Sequence, residues 1–577
     1  MAKPFWVLLA TVILLAFLVD SYSIPKRSHE LQHRANLSTT PLRFSPLCVP
    51  CTAAVWTMWL LKFCSYFRLA MKLDMTEPVV LEFASLICKL VAKQSWVVCD
   101  GITTQFRDEF FYVFRRLADK SPSEICGLIL DECADPNDPD ESGWTVALPP
   151  KPTKEVQALL DKKKAQFAQP AVPAQRYFRV LQLSDMHVDF EYEPGSEAEC
   201  DLPICCRPTT GTPQKPAGYW GTVGRCDIPY RTLRNMLEHI KSTHEIDYIM
   251  LSGDFINHAD WSYSKDEHVG ALRNVSALIR QFFPMTPTYW AIGNHEGVPV
   301  NSFAPHFVDE RFWPIWLYEE FLNMSSPWLN DEASKAVLYR GSYSVKVIDG
   351  LRLISLNTGF CENTNFFLYL NQSDPDGTMS WFVTELFKVS LKRMSIVIQS
   401  IRFADTVKAQ FFGHVHFDHF TVFYEDMHNI SSTPIGVLYA APSVTTFADM
   451  NPAYRIYEVD YSDEFKVVDI KNFYADLNKA DENKPPKWEL LYTAKAKYGL
   501  RDLSPTSWNN VVNSIFQEAR TARKYIRSAF RTRKPACDTE CQLNLLCLLR
   551  MGHHNSTLYC PQTLPQRRVV LTSENTG

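Results

Sequence analysis

No charge of one sign dominates this chain. Across 577 residues the formal net charge is only -5, with 21% charged and 46% hydrophobic residues. That balance is ordinary for globular proteins and gives no electrostatic reason to expect a nucleic-acid partner. Long apolar runs are scarce as well. The run at the N-terminus, residues 5–19, falls short of the roughly 20 apolar residues that span hydrocarbon. Lys3 before it, and Asp20, Ser21, Tyr22 and Ser23 after it, give instead the layout of a cleaved signal peptide over residues 1–23. No internal repeat is visible. The cysteines do not pair as two CxxC knuckles, which argues against zinc fingers.

What is present points to an exported, multidomain protein. The length exceeds what one hydrophobic core supports. Sixteen cysteines at close spacings persist as disulfides only in an oxidising compartment. Sequons at Asn36, Asn274, Asn323, Asn371, Asn429 and Asn555 become glycan candidates in that context.

Residues 53–71, 79–93, 103–120 and 123–132 carry apolar positions at helical steps. A break follows over 136–175, where Pro136, Pro139, Pro149, Pro150, Pro152, Pro170 and Pro173 deny regular hydrogen bonding. From 176 to about 475 strands alternate with helices. Residues 476–565 read as helical, with Cys537, Cys541, Cys547 and Cys560 as two local staples, and 566–577 form a tail.

Four apolar strands run directly into metal-binding residue types. YFRVLQLSDMH ends on Asp185 and His187, IDYIMLSGD on Gly253 and Asp254, TPTYWAIGNHE on Asn294, His295 and Glu296, and KAQFFGHVH on His414 and His416. Loops at the carboxyl ends of strands are where layered α/β folds gather ligands. A glycine stands just before the ligand in three of the four, allowing a sharp turn and close backbone approach. Each motif alone is weak; four in order, each after a strand, are hard to produce by accident. Carboxylate, amide and imidazole donors together suit zinc, manganese or iron, and two such metals can clamp a phosphoryl group.

The order DxH, GD, GNHE, GHxH resembles the calcineurin-like metallophosphoesterase superfamily. ECDLPICCRP, GYWGTVGRCDIPYRTL, GNHEGVPVNSF, QFFGHVHFDHF and APSVTTFADMNPAYRIY narrow the resemblance to the acid sphingomyelinase family. The cysteine framework and helices over 44–135, with SPSEICGLIL, resemble a saposin B-type domain; a generic disulfide-stapled helical bundle is the alternative. The resemblance implies an all-α saposin domain, an α/β two-sheet sandwich flanked by helices and a helical C-terminal region. It also implies pairs Cys48–Cys133, Cys51–Cys126, Cys88–Cys99, Cys200–Cys205, Cys206–Cys226, Cys537–Cys541 and Cys547–Cys560. One zinc would take Asp185, His187, Asp254 and His416; the other would share Asp254 and add Asn294 and His414. His295 maps to the acid that protonates the leaving alkoxide, with His258 as its neighbour over the phosphate. For His258 a loop histidine without function is the competing reading. Asn301 is placed beside the substrate or in a simple loop role.

One family motif is missing. A histidine ligand in a GHxPPGH segment should stand between GNHE and GHxH; here the chain passes through VSLKRMSIVIQSIRFADTVKAQFFGH to His414. The cysteine that would pair with Cys361 is absent too, leaving Cys361 and Cys64 over. A skipped segment, from splicing or an imperfect gene assignment, is the leading explanation, and a degenerate enzyme the second. The expectation is a secreted or lysosomal, monomeric sphingomyelin phosphodiesterase that meets membrane lipid through its saposin domain, with its second zinc weakened. A secreted nucleotide phosphodiesterase, a non-catalytic lipid-binding relative and an adhesive glycoprotein are the alternatives.

Overall fold

The computed structural model describes residues 77–117, 146–148, 177–208, 211–362, 364–392, 395–396, 406–461, 465–531, 537–552 and 559–565. Outside them lie the signal peptide, the helices expected at 53–71 and 123–132, nearly all of the proline-rich linker and the tail. The Cys48–Cys133 and Cys51–Cys126 pairs, Cys64, and sequons Asn36 and Asn555 lie outside them too. The sequons Asn274, Asn323, Asn371 and Asn429 are exposed.

The site is built at one end of a six-stranded sheet. Its strands are β1 (Tyr177–Leu183), β4 (Tyr248–Leu251), β5 (Thr288–Trp290), β12 (Ala453–Asp460), β13 (Val467–Ala475) and β14 (Trp488–Thr493). Their order is β14-β13-β12-β1-β4-β5. β1, β4 and β5 are parallel neighbours, so three of the four expected ligand loops leave the same edge side by side. Helix α3 (Tyr230–Thr243) covers this sheet with Leu233, Met236, Leu237 and Ile240, a stripe at steps of three and four. Helix α4 (Lys265–Phe282) does the same with Leu272, Val275 and Ile279; it starts at Ser264, whose hydroxyl accepts from the Glu267 amide.

Where the resemblance implies the second sheet of a two-sheet sandwich, the described residues of the second layer are divided. They form two separate three-stranded sheets: β6 (Tyr343–Ile348), β7 (Leu351–Ser355) and β8 (Ser395–Ile396), and β9 (Gln410–Phe412), β10 (His419–Tyr424) and β11 (Pro434–Ala440). A two-residue parallel pair joins β2 (Val188–Asp189) to β3 (Ile228–Pro229). The fourth ligand loop leaves β9, in this second layer.

The C-terminal region is not helical from its start. Trp488–Thr493 forms β14, the edge of the large sheet, because pairing with β13 and burial of Trp488 outweigh the helix-forming composition around it. Helices α9 (Pro505–Gln517), α10 (Ala519–Ala529) and α11 (Thr539–Cys547) follow as expected. Between β14 and these lies the short α8 (Ala494–Tyr498). Trp508 anchors α9 by donating to the Tyr439 hydroxyl at 3.0 Å. The disulfides Cys88–Cys99, Cys200–Cys205, Cys206–Cys226, Cys537–Cys541 and Cys547–Cys560 are formed, and Cys361 is free and exposed. No helix among the described residues is long and apolar enough to cross a membrane.

Of the N-terminal helices, α1 (Glu77–Ile87) and α2 (Trp96–Leu117) are described, joined by a π-helical turn at Cys88–Ala92. α2 starts at Trp96 rather than 103, since Val98, Cys99 and Ile102 are already buried in its first turns. It packs on the sheet unit through Phe106 and Phe110, edge-on to Phe366 at 5.4 and 6.2 Å, and through Tyr112 against Phe312 at 4.9 Å. Gln105 Nε2 donates to Tyr263 O at 2.7 Å. Helices α5 (Ile315–Ser325), α6 (Asp331–Arg340) and α7 (Thr378–Lys392) complete the outer cover.

One carboxyl sits inside the α2 contact. Glu109 is 3% exposed, bonds the Ser302 hydroxyl through Oε2 and leaves Oε1 without a hydrogen-bond partner. Burial pushes its carboxyl from 4.5 up to about 8, against the pull of the Ser302 hydroxyl. A raised acid is held protonated in the folded state, so its contribution is fully present below 4.5 and is lost as pH rises towards about 8. Glu109→Gln keeps the neutral form at every pH. The unfolding temperature of the native chain should therefore fall relative to this variant between about pH 5 and pH 8. Parallel profiles for the two proteins across that range would refute the assignment.

Candidate metal centre

The loops after β1, β4, β5 and β9 converge because their backbones pack at glycine. A Cβ on Gly253, whose φ is +88°, would lie 2.5 Å from Gly293 N. One on Gly293 would lie 2.2 Å from Asp254 Oδ1, and one on Gly413 would lie 3.0 Å from Asp185 Oδ2. No side chain fits there. Asp185, His187, Asp254, His414 and His416 all adopt φ between 39° and 72°, the left-handed region that non-glycine residues avoid. Asn294 instead opens the 3-10 turn Asn294–Glu296.

The side chains form two adjoining groups. In the first, His187 Nε2 lies 3.1 Å from His416 Nε2 and 4.0 Å from Asp254 Oδ2, and His416 Nε2 lies 3.9 Å from Asp185 Oδ1. Asp185, His187 and His416 bring their ligand atoms within 4.8 Å of one another, and all three are buried. In the second, Asn294 Oδ1 is 2.9 Å from His414 Nδ1 and 3.1 and 3.2 Å from the Asp254 oxygens. His306 is remote from both; its ring bonds Asp376 at 2.9 Å and stacks on Tyr339 at 4.4 Å.

This donor set suits a cation. Burial, then repulsion from Asp254, pushes the Asp185 carboxyl well up, while burial and neighbouring imidazoles hold His187 and His416 well below 6.5. The centre thus offers unprotonated imidazole lone pairs beside two mutually repelling carboxyls. One end of the Asn294 amide faces Asp254 and His414; the other lies 2.9 Å from Asn301 Oδ1, and Asn301 Nδ2 in turn lies 2.6 Å from Thr364 Oγ1. Asn301, expected beside the substrate or in a plain loop role, is 7% exposed and orients Asn294.

His258 and His295 stand over the first group. The His258 ring is stacked between His187 at 3.8 Å and Phe447 at 4.0 Å, and its Nδ1 meets Asp227 at 3.0 Å. His295 Nδ1 lies 2.8 Å from the Tyr263 hydroxyl and 3.3 Å from Asp260 Oδ1. Burial alone would lower the His295 pKa, but Asp260, then Asp254 and Glu296, carry it up to about 9. Sequence reading missed Asp227, Asp260, Tyr263 and Phe447. Glu296, read from GNHE as one of the metal-binding residue types, instead accepts from the amides of Asp254, Phe255 and Gly293 and ties two ligand loops together.

Residues 178–418 match the calcineurin-like phosphoesterase family, and residues 433–565 match the acid sphingomyelin phosphodiesterase C-terminal region. Sphingomyelin phosphodiesterase 1 of Caenorhabditis elegans is 57% identical over 541 residues, covering 90% of this chain and 93% of that protein. The chain belongs to the acid sphingomyelinase family. The human sphingomyelin phosphodiesterase is 34% identical, covering 85% of this chain and 80% of its own length. The human acid sphingomyelinase-like phosphodiesterase 3b is 25% identical and covers 67% of this chain and 92% of its own length.

Gly293→Ala tests the packing that brings the two loops together. A divalent cation such as zinc held here should raise the unfolding temperature of the native chain, and that rise should disappear in Gly293→Ala, whose new Cβ collides with Asp254. Gly270→Ala, in α4 with open space around it, should keep the full rise. An undiminished zinc effect in Gly293→Ala would show that Asp254 is not a ligand.

Proposed function

We propose that this chain is a secreted or lysosomal zinc-dependent sphingomyelin phosphodiesterase, hydrolysing sphingomyelin to ceramide and phosphocholine. The observation that carries the reading is the convergence of Asp185, His187, Asp254 and His416 beside the Asn294–His414 pair, with His295 held over them by Asp260. Asp185, His187, Asp254 and His416 would hold one zinc, and Asp254, Asn294 and His414 the other. Bound metals of this kind activate water and offset charge on a phosphoryl group. The chain's own residues supply proton control. His295, whose protonated form Asp260 favours, is suited to give a proton from Nε2 to the departing ceramide oxygen, since its Nδ1 is held from behind by Tyr263 and Asp260. His258, fixed by Asp227 and Phe447, is set to contact a phosphate oxygen.

The substrate assignment rests on the names of the relatives and on the N-terminal helical unit, read as a saposin domain that brings membrane lipid to the site. The cysteine pattern, the exposed sequons and the leader-like N-terminus support export. The second zinc has three proposed ligands rather than four, so it should bind more weakly than the first.

Phosphocholine release from sphingomyelin vesicles, measured against zinc concentration, tests the reading. Release should rise as zinc fills the second group and fall by roughly 100-fold or more in His295→Asn, at unchanged zinc content. Nucleotide turnover without phosphocholine release would favour the soluble-phosphodiester reading. Binding of vesicles with no hydrolysis at any zinc concentration or pH would mark a lipid-binding relative.

A further inference from the structure

The C-terminal helices reach the metal centre through one side chain. Arg531 follows α10 and is 1% exposed. Its Nε donates to Asn451 O at 2.6 Å, its Nη1 to His416 O at 2.9 Å and Ala529 O at 3.4 Å, and its Nη2 to the Ser443 hydroxyl at 2.9 Å. All four acceptors are uncharged. No carboxylate among the described residues forms an ion pair with this guanidinium, although the charges of Asp418 and Asp185 act on it. A cation taken out of water without a paired anion is costly, and an apolar side chain of the same length would fill the space without that cost. What an apolar side chain could not supply is the fork of donors.

Those donors hold the backbone of the first metal group. The His416 carbonyl accepts from Arg531 and also from the Ser443 amide at 3.1 Å, and His416 is left-handed with φ of +57°. The next two amides of the same segment, Val444 and Thr445, donate to Ser184 O at 2.9 Å and Asp185 O at 3.0 Å. Residues 443–445 therefore bridge the loop after β1 to the loop after β9. Arg531 closes on that bridge from behind, bonding both its first residue and the His416 carbonyl. Arg531 is itself left-handed, with φ of +52°, and its own carbonyl accepts from Asn451 Nδ2 at 3.1 Å. Backbone held in this region persists only where neighbours over-determine it.

We propose that Arg531 is a positioning residue for the first metal group. It acts through His416, fixing the strained backbone from which the imidazole is aimed at Asp185 and His187, so the C-terminal region is part of the frame of the centre. The inference rests on the reading of Asp185, His187, Asp254 and His416 as the ligands of one metal.

Zinc titration of the full chain, freed of metal and competed against a chromophoric chelator, tests it. Arg531→Met keeps the length of the side chain but removes every donor, and the tighter zinc should bind roughly 10- to 100-fold more weakly. Arg550→Met is the control. Arg550 lies in the same C-terminal region, is buried, and bonds the Tyr424 and Asn513 side chains rather than a ligand loop, so zinc affinity should stay at the native value. With cobalt(II) in place of zinc, the visible absorption bands, which report ligand geometry, should change in Arg531→Met and not in Arg550→Met. Ser443→Ala, a smaller change that removes one acceptor, should weaken the tighter site severalfold. Native affinity and native cobalt bands in folded Arg531→Met, or in Ser443→Ala should the first variant not fold, would overturn the inference and leave the ligand set intact. An equal loss in Arg550→Met would overturn it as well, since seating of the C-terminal region alone would then account for the effect. A native chain that binds neither zinc nor cobalt would sink the ligand reading itself, and the inference with it.

Discussion

Asp185 and Asp254 are both buried and repel each other, and few donors are available to offset this. The Ser184 hydroxyl and the His414 amide reach Asp185, and the His295 amide reaches Asp254 at 3.0 Å. Two carboxyls in that position are costly without a cation, and the surrounding structure is shaped to keep them there. Gly253, Gly293 and Gly413 let three loops touch at main-chain distance, and five of the six candidate ligands accept left-handed backbone. Glu296, itself pushed up to about 7 by burial and by Asp254, spends its carboxylate on three amides of the same loops. Strain and repulsion of this kind persist only where the fold over-determines them, and here the parallel β1-β4-β5 trio does so from beneath.

The elements legible in the sequence were those in which local pattern and tertiary role agree. β1, β4, β5 and β9 are apolar runs that end abruptly on polar ligands, so strand and site announce each other. The glycines before Asp254, Asn294 and His414 were readable for the same reason, since their absent side chains are what the approach requires. Asp227, Asp260 and Phe447 carry no such signal. They reach the histidines from loops whose positions depend on packing far from the motif. Asn301 was visible only as a residue near the site; its role in holding the Asn294 amide depends on Thr364, which sequence places 63 residues away.

One misreading has a plain physical origin. Trp488–Thr493 looks helical in composition yet becomes a strand because β13 offers an edge to pair with. The neighbour decides: strand propensity expresses the presence of a partner edge more than a preference of the residues.

The N-terminal helices bear on the chemistry through a short path. Gly101 of α2 packs so closely on Trp261 that a Cβ would lie 2.3 Å from its carbonyl oxygen, and Gln105 holds the carbonyl of Tyr263. The Tyr263 hydroxyl in turn meets His295 Nδ1. Helix α2 thus braces the segment that stands behind the proposed acid, two hydrogen bonds from the ring. A brace of this kind fixes which nitrogen of His295 is left to face the metal groups, because Nδ1 is already engaged. It is a support rather than a switch, since coupling of the second kind needs an element with two discrete arrangements. What it does require is that the helical unit stay seated, and the carboxyl of Glu109, buried in that same contact, makes the seating most favourable when it is protonated.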